Sequence, residues 1–148
     1  MKCAIAVLSA VVLCGCVERS KPYKTAPVSG VITLDGQPLA AAHVTFMPVH
    51  EAQAGSQSGP EASGETDASG KYTLKSAFGD RGATIGKNRV MVTTRKTELD
   101  PKNPDRPKEV VKERVPGKFF TDEAPVFINV PPDGLKSANF HLTGMREK

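Results

Sequence analysis

The chain has 148 residues and a mass of 15.8 kDa, enough for one domain but too little for two cores. With 39% apolar and 24% charged residues it is too apolar for wholesale disorder, and its net charge of +4 is no nucleic-acid footprint. Twelve prolines leave little room for long helices, and 5% aromatics without Trp leave few platforms for stacking a sugar or base.

At the N-terminus, Lys2 supplies a positive n-region and residues 4–13 (AIAVLSAVVL) an apolar h-region. A spanning helix needs about 20 residues, so this predicts a signal peptide and not a membrane span. The next residues, Leu13, Cys14, Gly15 and Cys16, resemble the bacterial lipobox: an aliphatic residue, two small ones, then the cysteine that becomes residue one. Cleavage between Gly15 and Cys16 removes residues 1–15. It also discards Cys3 and Cys14 and acylates the remaining thiol, which excludes thiol catalysis and thiolate metal sites in the exported protein. An ordinary secretory signal with an incidental cysteine is the alternative. Residues 16–27 then read as the lipidated Cys and a polar, Pro-containing tether.

The domain is expected over residues 28–144, with a tail at 145–148. Residues 28–34 (VSGVITL) alternate and predict a strand with Val28, Ile32 and Leu34 inward, closed by the turn dipeptide Asp35-Gly36. Residues 42–48 predict a second strand, with Val44 and Phe46 on one face and His43, Thr45 and Met47 on the other. Residues 50–64 are small, polar and Gly/Ser-rich, and read as a mobile loop. Residues 65–74 read as strand, turn, strand, with Asp67 and Gly70 making the turn and Tyr72 and Leu74 inward.

Residues 78–86 hold three glycines and read as a loop, and residues 89–94 as a strand with Val90 and Val92 inward. Residues 95–118 carry eight basic and five acidic side chains and five Pro or Gly. They read as a long solvated loop with a helical turn around 108–114. Residues 126–130 (VFINV) and 137–143 predict the last two strands, with Phe140 and Leu142 inward. Seven short strands without an amphipathic helix predict an all-β, two-sheet antiparallel sandwich.

The signposts fall in a definite order. Val28, Gly30, Ile32, Asp35, Gly36, Pro38 and Leu39 come first, and Val44, Phe46 and Pro48 follow. Then come Thr66, Asp67, Gly70, Tyr72 and Leu74, and after them Gly82, Gly86, Val90 and Val92. With residues 115–119 (VPGKF) and the closing Phe140 and Leu142, this order resembles the carboxypeptidase-regulatory-like or transthyretin-like (prealbumin-type) β-sandwich of small bacterial lipoproteins. The resemblance covers residues 27–143. It implies a seven-stranded Ig-like/prealbumin-like sandwich and carries over no catalytic residue. Asn88 stands where that family places an aromatic, which implies looser packing at the start of its strand.

Chemistry-bearing patterns are sparse. The run Gly82 to Lys87 has one residue too few for a phosphate loop, and Asn88 replaces the magnesium-binding hydroxyl. Gly55 to Gly59 has Gln57 where a nucleophile elbow needs Ser, and His50-Glu51 lacks the second histidine of a zinc-protease helix. His43 and His141 face outward and would need neighbouring strands to share a metal. Residues 67–70 lack the further acids of a calcium loop. The ring-opening hydrolase branch of the transthyretin-like proteins would require a Tyr-Arg-Gly-Ser C-terminus, whereas this chain ends in TGMREK. No metal, cofactor, nucleic-acid partner or enzymatic activity is therefore expected.

The expectation is a lipoprotein held in the cell envelope through lipid at Cys16. Its sandwich would serve as a structural or protein-interaction module for an unidentified envelope protein or glycan. Val17, in place of an inner-membrane-retaining Asp, favours the outer membrane. Lys102, Arg106, Lys108 and Lys112 are the candidate contacts for an acidic partner or anionic polymer. The alternative is a carbohydrate-binding module using Phe119, Phe120 and Phe127, with Phe127 out of phase with its inward neighbours.

Overall fold

The computed structural model describes residues 21–49, 59–121 and 124–144. Gly15, Cys16 and Val17, the segment 50–58 and the tail 145–148 lie outside the described residues.

The described chain is all-β. β1 (Thr25–Ala26), β2 (Ser29–Leu34), β3 (Gln37–Pro38) and β4 (His43–Pro48) come first. β5 (Ala62–Glu65), β6 (Lys71–Thr73), β7 (Lys75–Ser76), β8 (Ala83–Thr84) and β9 (Gly86–Thr93) follow. β10 (Lys96–Asp100), β11 (Asn103–Val111), β12 (Val126–Val130) and β13 (Phe140–Leu142) complete it, with a 3-10 turn at Gly117–Phe119. The strands expected at 28–34, 42–48, 89–94 and 126–130 appear as the single strands β2, β4, β9 and β12, and further short strands bring the number among the described residues to thirteen. One of them, β5, corrects the reading of 50–64 as a loop: from Ala62 the chain is strand, paired with β4.

One antiparallel sheet runs β12-β9-β4-β5-β7. Its centre is the β4–β9 pair, with Val44 opposite Val92 and Phe46 opposite Val90. Period-two alternation puts all four on the buried face and leaves His43, Thr45 and Met47 on the other, as expected from sequence. The second sheet is built around β2. β3 returns to it through a tight turn in which Asp35 and Gly36 both have positive φ, 51° and 80°, the geometry that matches hairpin twist. β6 pairs antiparallel with the first half of β2.

The last strand departs from expectation. It is confined to Phe140–Leu142 and pairs in parallel with β2, Phe140 opposite Ile32 and Leu142 opposite Leu34. Residues 135–139 approach β2 as irregular chain. Ser29 N–H donates to the Leu135 carbonyl at 2.8 Å, Ala138 N–H donates to the Ser29 carbonyl at 3.0 Å, and the Asn139 side chain accepts from Val31 N–H at 2.9 Å. A β-carbon on Gly30 would sit 2.1 Å from the Ala138 carbonyl oxygen, so this close approach needs glycine.

The two sheets enclose one core. Ile32, Tyr72 and Leu142 from one sheet pack in the same cluster as Val44, Phe46, Val90 and Val92 from the other. Phe46 and Phe140 meet edge to face, with ring centroids 6.4 Å apart. Several mainly antiparallel sheets around a shared core are compatible with a β-sandwich.

Three further differences matter for function. Residues 95–118 are not a structureless loop. β10 and β11 form an antiparallel hairpin arm, and the expected helical turn at 108–114 is strand as far as Val111. Part of the segment read as a tether is docked: β1 pairs with β8, Ala26 is buried, and Tyr23 stacks on Phe78 at 6.3 Å. Finally, Asn88 is fully buried (0% exposed) and its amide donates to the carbonyls of Thr84 and Gly86 at 2.8 and 2.9 Å. Polar anchoring replaces the expected loose packing at the start of β9.

Candidate functional site: the hairpin arm and its clasp

The arm leaves the five-stranded sheet at the end of β9 and returns at residue 112. Its root is held by Glu113. This carboxylate accepts from the Thr93 hydroxyl, from Thr94 N–H at 2.9 Å and from the Thr94 hydroxyl at 2.8 Å. It also accepts from the N–H groups of Arg114 and Val115, both at 3.0 Å. Thr94 is itself buried and accepts from Arg114 N–H at 2.8 Å. Partial burial works against ionisation of Glu113, but the donors from Thr93, Thr94 and Val115 outweigh it and hold the pKa at about 2. The clasp ties residue 93 to residue 115 and fixes where the arm emerges. Sequence reasoning missed it, because Glu113 is one acid in a run of thirteen charges and Thr93 and Thr94, the partners that make it a clasp, lie about twenty residues away.

Beyond the clasp the arm is exposed on both faces. Among the described residues β10 and β11 pair only with each other, Glu98 opposite Lys108 and Asp100 opposite Asn103. The arm also carries exposed apolar side chains: Leu99 toward the tip is 73% exposed, and Val110 and Val111 are exposed nearer the root, Val111 opposite Lys96. Lys102, Arg106, Lys108 and Lys112 are all exposed here, with Lys102 near the tip and Lys112 at the root. They do not form an unbroken basic patch, because Glu98, Asp100, Asp105 and Glu109 are interleaved with them and Arg95 Nε lies 3.9 Å from Glu109.

The aromatic candidates are separated. Phe119 is a core residue, delivered inward by the 3-10 turn, and Phe120 packs against the core. This corrects the expectation that they line a platform with Phe127. Phe127 is 44% exposed, on the outer face of the edge strand β12, and the Lys87 ammonium sits 4.7 Å from its ring centroid. That is a cation–π contact on the ring a sugar would stack against.

The two histidines fall on different sheets, His43 on β4 and His141 on β13, so the shared site that neighbouring strands would allow is not formed. His141 Nδ1 lies 2.9 Å from the Thr33 hydroxyl. Asp67 is occupied within its own turn, accepting from Ser69 N–H at 2.8 Å, the Ser69 hydroxyl at 2.7 Å and Lys71 N–H at 3.0 Å. These bonds, the Ser69 hydroxyl foremost, hold its pKa below the usual value. Among the described residues no three His, Cys, Asp or Glu side chains group as metal ligands. A surface cavity of about 360 Å³ is floored by Val28 and Leu74 and rimmed by Lys75 and Arg81. No helix among the described residues is long and apolar enough to cross a membrane.

No family model matches the chain, and no curated protein matches it. Among solved structures it is similar to a 9R-lipoxygenase from Cyanothece, at 12% identity and a TM-score of 0.42. That likeness covers 94% of this chain but 18% of the lipoxygenase chain, and at this TM-score it determines neither fold nor activity.

Proposed function

We propose that the chain is a lipid-anchored cell-envelope protein whose prealbumin-like sandwich serves as a non-catalytic structural or protein-interaction module. The observation that carries this reading is the arm. A scaffold with a buried core projects a two-stranded hairpin with exposed Leu99, Val110 and Val111, both faces wet and the root clasped by Glu113. A hairpin of this kind is marginal by itself, and holding it on a fixed root suits recognition. Anchoring is read from the lipobox ending at Cys16, and outer-membrane residence from Val17. A carbohydrate-binding role rests on Phe127 alone and predicts a glycan-array signal that Phe127→Ala abolishes.

The test is crosslinking in the native envelope followed by mass spectrometry. It compares the parent with a variant in which Lys102, Arg106, Lys108 and Lys112 are all Gln. Loss of partners on substitution, and weaker capture as salt shortens the screening length from ~10 Å at 0.1 M to ~3 Å at 1 M, supports an arm-borne contact. Unchanged partners and an unchanged salt response reduce the arm to a connector.

A further inference from the structure

We propose that the arm is a self-recognition element: β10 pairs antiparallel with β10 of a second copy of this chain. The inference deepens the reading of the arm as a contact surface and rests on it.

Three observations carry it. First, the two edges of the hairpin differ. β11 contains Pro104 and Pro107, which have no N–H to offer a further strand, whereas β10 (KTELD) contains no proline. The outer edge of β10 has no strand partner among the described residues.

Second, charge alternates along β10 in a self-complementary way. With Thr97 on a two-fold axis, Lys96 faces Glu98 of the second copy, and Glu98 faces its Lys96. Directly opposed opposite charges favour such a register, and a Thr–Thr pair suits the centre. The neighbouring register, centred on Glu98, would set two carboxylates face to face. Within each arm Glu98 already lies opposite Lys108, so in the four-stranded ladder it would stand between two cations, Lys108 of its own arm and Lys96 of the second copy. Lys96 contacts Glu65 at 3.3 Å, but both side chains are about half exposed, and such a pair contributes little and yields readily.

Third, the same register sets Leu99 opposite Arg95 of the second copy, whose aliphatic stem would cover the 73%-exposed leucine.

The test places a photo-crosslinking amino acid at position 99 of the full chain, expressed in cells. The expected product is a species of twice the parent mass, joined between position 99 and residues 94–96 of the second copy. Glu98→Lys should lower its yield about fivefold, the effect of two exposed ion pairs turned repulsive. The double variant Lys96→Glu/Glu98→Lys should restore it. A merely structural role for Glu98 predicts no recovery, since Lys108 still faces the new lysine. Dimer yields indifferent to these charges overturn the register. Crosslinks solely to other proteins overturn self-pairing and leave the arm an interaction surface. No protein crosslink at all overturns both readings.

Discussion

The Tyr72 hydroxyl donates a 2.6 Å hydrogen bond to the Ala138 carbonyl, joining residues 66 positions apart. Tyr72 lies opposite Gly30 in the β2–β6 register, and Gly30 is where residues 137–139 cross β2. The phenol therefore ties the irregular approach to β13 across the sheet. Burial raises its pKa well above the ordinary phenol value, so the hydroxyl stays protonated and remains a donor throughout the physiological range.

Tyr72→Phe should keep the ring in the core and strip the Ala138 carbonyl of this donor. The expected cost is about 1–2 kcal/mol in urea unfolding, with an unchanged m-value. Gly30→Ala should cost more, because its β-carbon would clash with backbone that has little room to retreat. A Tyr72→Phe protein as stable as the parent would show that this bond adds no net stability.

Phe46 is fully buried (0% exposed) at the centre of the β4–β9 pair and touches both sheets. Phe46→Ala should destabilise the domain by about 3–5 kcal/mol, a large part of what a domain this size has. Thermal unfolding followed by circular dichroism measures it. The exposed Phe127 on the same sheet is the control, and Phe127→Ala should change stability by less than about 1 kcal/mol.

Glu113 makes the fold acid-sensitive in a defined window. Its folded pKa of about 2 lies below its unfolded value of 4.5, so the carboxylate stabilises the folded state fully above that unfolded value. The contribution is lost as pH falls from 4.5 through about 2. The group is partly exposed, so the effect is discounted to about 1–2 kcal/mol. Glu113→Gln should lower stability at neutral pH by that amount and flatten the acid limb of the stability profile. Hydrogen exchange should quicken at Thr94, Arg114 and Val115. A variant with the parent's acid limb would assign that limb to other carboxylates.

Cys16→Ser should release the protein from membranes or stall it as an uncleaved precursor. Two or three acyl chains hold a protein firmly, at about 0.8 kcal/mol per buried CH₂, and serine accepts none by the lipobox route. Fractionation with a mass measurement of the N-terminus decides it. A cleaved variant that still sediments with membranes would remove lipid from the account of anchoring.

Local pattern made the inner faces legible. Val44, Phe46, Tyr72, Leu74, Val90, Val92 and Leu142 alternate with polar neighbours, and all are buried. Ile128 and Phe140 lie on the same core only partly covered, because β12 and β13 are edge strands with no neighbour on one side among the described residues. The arm escaped the same reasoning for a physical reason. Alternation arises when one strand face is buried and the other wet, and both faces of β10 and β11 are wet, so strand and loop carry the same polar composition there. The prolines of β11 reinforced the loop reading, although proline is tolerated on an exposed edge.

The linear chain by itself determined what short-range chemistry controls: the turn at Asp35 and Gly36, the Asp67 turn, and which side chains share a strand face. Each depends on residues within a few positions of one another. Tertiary structure decided what depends on distant partners. The parallel seat of β13 beside β2, the Glu113 clasp on Thr93 and Thr94, the inward turn of Phe119 and the separation of His43 from His141 onto different sheets all follow from long-range pairing. Composition does not encode that pairing, because the groups that make it, backbone carbonyls, a carboxylate and ring edges, find their partners only after the sheets have closed around the core.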